Sequence, residues 1–103
     1  AGLEAVIRVV EPFLASINDP QAVAIAQDAV RALGLSQGES GVPMRASEDF
    51  GLFGAHAKAA MLCLGAGEAH PALHNPDYDF PDALIPIGTA IFARIMDDIL
   101  SRA

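Results

Sequence analysis

The stretch Ala59-Ala60-Met61-Leu62-Cys63-Leu64, stopped by Gly65-Ala66-Gly67, decides how the chain is read. It is six residues of unbroken apolarity, the length of a strand. Continuous rather than alternating apolarity predicts a strand buried on both faces, and so helices on either side of a sheet. Cys63 inside that run then reads as an inert core thiol, since no basic residue flanks it to lower its pKa.

Downstream of this run, residues 68–81 hold Pro71, Pro76 and Pro81 and read as a loop. After it comes the clearest helical pattern. Leu84, Ile87, Gly88, Ile91, Ile95 and Ile99 recur at helical period, with Phe92 and Met96 beside them. Arg94, Asp97, Asp98 and Arg102 lie away from that stripe. Pro86 fits only in a first turn, so the helix is predicted to begin near Leu84.

Upstream, residues 6–10 are β-branched apart from Arg8 and read as a short strand closed by Glu11-Pro12. A strand so near the first residue has no earlier neighbour, which suggests that its partner lies outside this sequence. Next, Asn18 or Asp19 caps a helix with Pro20 in its first turn, and Gln21 stands at a capping-box spacing from Asn18. Val23, Ala26, Val30 and Leu33 mark its apolar face and Gly34 suits its end. Residues 35–41 read as a loop and residues 42–45 as a short strand. Ser47, before Glu48 and Asp49, reads as a helix cap followed by first-turn acids, with Gly51 and Gly54 keeping that helix short. The order strand, helix, strand, short helix, strand, helix is α/β in character.

Composition narrows the function. Hydrophobic residues make up 52% of the chain, enough for a core. Six basic residues against thirteen acidic ones leave a charge of −7, which disfavours nucleic acid and an anionic membrane surface as partners. A single cysteine excludes an internal disulfide and a Cys-x-x-Cys metal knuckle. No apolar run is long enough to span a bilayer, and the start of the chain lacks a secretory signal, so a cytoplasmic protein is expected.

Taken singly, the chemistry-bearing residues are ambiguous. His70 and His74 have the spacing of a helical zinc pair, but Pro71 and Pro76 make a helix improbable there. His56 reads as a surface residue. Ser47 lies in no Gly-x-Ser-x-Gly elbow. Asp77 and Asp79, flanking Tyr78, read as turn chemistry.

The order of these residues is more specific. Leu73-His74-Asn75-Pro76-Asp77-Tyr78-Asp79-Phe80, followed by Pro81-Asp82 and a helix carrying Gly88, resembles the C-terminal motif of hippurate hydrolase and aminoacylase-like amidohydrolases. Asn18-Asp19-Pro20, Ser47-Glu48-Asp49-Phe50 and Leu64-Gly65 agree with that family in order and spacing. The resemblance implies that residues 1–16 end a ferredoxin-like lid and dimerisation domain. Residues 17–103 would then be the C-terminal portion of a dinuclear-metal, peptidase-like catalytic domain. It implies hydrolysis of N-acyl amino acids with two divalent ions, zinc or manganese, and makes His74 a metal ligand. Glu48, Asp49 and Asn75 would stand on the substrate side or support the ligands. The family's remaining ligands and its glutamate base have no counterpart here. The chain is therefore expected to be an inactive fragment, holding no metal tightly by itself, completed by an N-terminal half and forming homo-oligomers. The alternative is a non-catalytic interaction module, or a subunit completed by a partner chain.

Overall fold

The computed structural model describes residues 2–10, 12–39, 43–45 and 48–101. Its helices are α1 (Pro20–Ala32), α2 (Gly51–Gly54) and α3 (Leu84–Leu100). Helices α1 and α3 pack on each other. Among the described residues, Ala26, Ala29 and Val30 of α1 and Ile91 of α3 are the buried hydrophobic ones. The radius of gyration is 18.1 Å, against about 13 Å for a compact domain of this length.

Both ends of α1 follow from local chemistry. Asp19 is the cap. Its carboxylate oxygen accepts from the backbone N–H of Gln21 at 2.8 Å and of Ala22 at 3.0 Å. Pro20 stands at the first helical position, where its missing N–H costs nothing. At the other end Gly34 has φ +69°. Its N–H donates to the Arg31 carbonyl at 3.0 Å, and the Leu35 N–H donates to the Val30 carbonyl at 3.1 Å. This is the Schellman pattern, which closes a helix through a left-handed glycine. The capping box expected between Asn18 and Gln21 is not formed, because the Gln21 side chain accepts from Lys58 Nζ and Asn18 turns elsewhere.

The strands expected at residues 6–10 and 59–64 are not formed. Among the described residues there is no strand, and hence no sheet of a lid domain. A strand is defined by a ladder of backbone hydrogen bonds to a neighbour, and apolar sequence alone does not supply the neighbour. Residues 6–10 form no helix or strand and are exposed, with Ile7 87% accessible. Residues 59–64 form no helix or strand either, and two hydrogen bonds tie them to the start of α1. The Asp19 N–H donates to the Ala59 carbonyl at 2.8 Å, and the Met61 N–H donates to the Asn18 side-chain oxygen at 2.9 Å. Cys63 is exposed rather than core, because the second covering layer inferred from the apolar run is not formed. Residues 43–45 are likewise exposed and not a strand, while Val42 lies outside the described residues.

Helix α2 begins later than the Ser47-Glu48-Asp49 string implies. Its cap residue is Phe50, no side chain caps it, and no acid occupies its first turn. Ser47 lies outside the described residues. Gly51 is where the chain crosses residues 14–15: a Cβ there would stand 2.2 Å from the Leu14 carbonyl oxygen. The start of α3 at Leu84 is as the Pro86 argument requires. Of its stripe Ile91 is buried, Leu84, Ile87, Gly88 and Ile95 are half-buried, and Phe92, Met96 and Ile99 are exposed. Arg94 Nε pairs with Asp98 one turn on, at 2.9 Å.

Candidate functional site

Residues 68–80 contain no helix and turn repeatedly, as their prolines demand. The His70 N–H donates to the Gly67 carbonyl at 3.2 Å, the Asn75 N–H to the Ala72 carbonyl at 3.0 Å, and the Tyr78 N–H to the Asn75 carbonyl at 3.0 Å. His74 lies within these turns at φ +71°, and among the described residues is the non-glycine residue found in the left-handed region. Its side chain is exposed, as is that of Asn75. The structure thus displays an imidazole at the outside of a turn, in a backbone conformation uncommon for a residue with a Cβ.

Glu48 and Asp49 are exposed and precede α2. The Asp49 carbonyl accepts from the Leu52 N–H at 3.1 Å. His56 is exposed as well. Among the described residues, no three of the His, Cys, Asp and Glu side chains come together as a metal-binding group. Two depressions lie elsewhere. An open cleft of about 490 Å³ is lined by residues 17–20, Gly54 and residues 56–59, with His56 and Lys58 on its wall. An apolar hollow of about 220 Å³ lies between Phe50, Met61, Leu62 and Leu64 and the Gly88, Ile91 and Phe92 face of α3. Neither is lined by His74, so size alone does not locate the chemistry.

Two residues that the sequence offers for other roles make contacts that it does not announce. Asn18 supplies a backbone-like acceptor to Met61, and its sequence signal was absorbed by its resemblance to a cap. His70 is half-buried, and its ring meets that of Tyr78. A histidine and a tyrosine eight residues apart in a loop leave no periodic signal.

The model for peptidase family M20/M25/M40 matches residues 3–98. The chain belongs to that family. As an M20/M25/M40 chain it is part of a group of metallopeptidase-like hydrolases, which are generally metal-dependent. The match spans the helices and the loop that carries His74. No solved structure matches this one. A catalytic zinc-type centre takes about three protein ligands. In this M20/M25/M40 chain His74 fits as one exposed imidazole donor, but its described neighbours do not complete a set. No helix among the described residues is long and apolar enough to cross a membrane.

Proposed function

We propose that this chain forms the C-terminal part of an amidohydrolase that cleaves N-acyl amino acids such as hippurate, with His74 donating its imidazole to one of two divalent ions, zinc or manganese. The reading is carried by His74, exposed in a left-handed turn inside the Leu73-His74-Asn75-Pro76 string. The family match over residues 3–98 supports it. When bound, such ions lower the pKa of a water and polarise the amide carbonyl. This chain's share is narrower: it orients one ligand and contributes helices α1 and α3 to the catalytic body. Glu48, Asp49 and Asn75 are assigned to the substrate side or to support of the ligands. Residues 1–16 are assigned to the lid and residues 17–103 to the catalytic domain. The remaining ligands and the proton-accepting glutamate come from other polypeptide.

The exposed apolar side chains of residues 3–10 favour a surface that meets further polypeptide, which suits both a lid-mediated homo-oligomer and a non-catalytic interaction module. Catalysis separates the two. The intact enzyme is assayed against a panel of N-acyl amino acids with zinc, manganese and nickel. Metal-dependent release of the free amino acid is expected. Absence of turnover with every acyl group and metal would leave the interaction module as the better reading.

A further inference from the structure

Every residue from Gly2 to Val10 is exposed, and among the described residues no backbone hydrogen bond involves this run. Its two charged side chains are Glu4 and Arg8. Both stand outside the ion pairs found among the described residues, which join Arg31 to Asp28 and Arg94 to Asp98. The run is nonetheless rich in β-branched residues that favour strands, namely Val6, Ile7, Val9 and Val10. Unpaired N–H and C=O groups along such a run are a template for adding a strand from another chain.

We propose that residues 3–9 pair antiparallel with the same residues of a second copy of this chain, about a two-fold axis at Val6. The inference rests on the reading of residues 1–16 as a homo-oligomer surface and adds its direction and register. In this register Glu4 of each copy stands opposite Arg8 of the other, so the run is complementary in charge to itself. Side chains alternate between the two faces of a strand. One face therefore carries the two Glu4–Arg8 pairs with Val6 against Val6 between them. The other face sets Leu3 against Val9 and Ala5 against Ile7, and holds no charge. Unlike charges directly opposed stabilise a ladder, and like charges destabilise it. Sliding the antiparallel pairing by one or two residues leaves Glu4 and Arg8 opposite uncharged residues. A parallel pairing in register would set Glu4 on Glu4 and Arg8 on Arg8. Glu11, the next acid, is followed by Pro12, which has no N–H to give a ladder. A pairing of identical surfaces about a two-fold axis closes at two copies, so the product is a dimer.

The test is sedimentation velocity of the intact enzyme over a concentration series, as wild type and with charges exchanged. The wild type is expected to be dimeric at micromolar concentration. Glu4→Arg and Arg8→Glu each set like charges opposite one another at both symmetry-related positions, and each should weaken the dimer about tenfold. The double variant Glu4→Arg/Arg8→Glu should restore it. So should an equimolar mixture of the two single variants, in which every opposed pair is again unlike. These two arms show that a loss in the single variants is not misfolding. A monomeric wild type, single variants that dimerise as tightly as the wild type, or no recovery in the double variant and the mixture would each overturn the proposal. Turnover of N-acyl amino acids is measured on the same samples. An active monomer overturns the strand pairing alone. A dimer that responds to charge exchange as expected but shows no turnover with any metal sinks the amidohydrolase reading and supports the pairing.

Discussion

The Met61 backbone N–H donates to the side-chain oxygen of Asn18 at 2.9 Å, so a side-chain amide stands where a neighbouring strand would otherwise supply a carbonyl. With the Asp19 N–H to Ala59 carbonyl bond beside it, this ties the apolar run 59–64 to the start of α1. Asn18→Ala removes the acceptor and is expected to destabilise the intact enzyme by about 1 kcal/mol, the usual net worth of one hydrogen bond. Asn18→Asp keeps an oxygen in place and should cost less. Denaturant unfolding gives the magnitude. Amide exchange at Met61 gives the location, and continued protection of that amide in Asn18→Ala would refute the assignment.

Asp19 closes the start of α1 by accepting from two backbone N–H groups. Replacing a cap of this kind with alanine costs about 1 kcal/mol, and Ser or Asn recovers most of it. A lower melting temperature is therefore expected for Asp19→Ala, and a near-normal one for Asp19→Asn. Equal losses in the two variants would mean that the charge, not the cap geometry, matters at this position.

At Gly51 the obstacle is backbone: the Leu14 carbonyl oxygen would be 2.2 Å from an added Cβ. A backbone group cannot swing aside as a side-chain end does, so Gly51→Ala is expected to separate residues 14–15 from α2. Overpacking of this kind costs roughly 1–3 kcal/mol. The comparison is Gly38→Ala, where an added Cβ meets nothing within 4 Å. Similar unfolding midpoints for the two variants would show that the 14–51 crossing is not present in solution.

His74→Ala in the intact enzyme should lower activity by more than about a hundredfold and reduce metal content, since loss of a residue merely supporting a ligand already costs 10–100-fold. His56→Ala should change neither, because its exposed side chain is assigned no part in the reaction. Activity and metal-to-protein ratio, measured on both variants, check the assignment. A His74 variant with normal metal content is an ordinary loop histidine.

The 103-residue chain by itself is expected to show no metal-dependent hydrolysis of hippurate and to self-associate at micromolar concentration. Leu3 is 98% accessible and Val6 80%, and the backbone of residues 6–10 has no strand neighbour among the described residues. Apolar surface of this extent ordinarily marks an interaction surface or an aggregation liability. Sedimentation velocity across a concentration series tests the second expectation: a compact monomer with a concentration-independent sedimentation coefficient contradicts it.

Helices α1 and α3 were legible from sequence because their determinants are local: Asp19-Pro20 at one end of α1, Gly34 at the other, and the stripe ending in Ile99 for α3. Capping and periodicity act within a few residues, so they need no knowledge of the rest of the fold. His74 stood out through the order of residues around it, and the family match runs over residues 3–98. What became of Ala59-Ala60-Met61-Leu62-Cys63-Leu64 was decided only in three dimensions. Apolarity makes that run able to be a central strand, but strandhood belongs to a pair, and here its described neighbours are Asn18, Asp19 and one face of α3. The left-handed turn at His74 and the His70–Tyr78 contact were likewise tertiary outcomes. They join residues through ring geometry and loop closure, for which sequence carries no period.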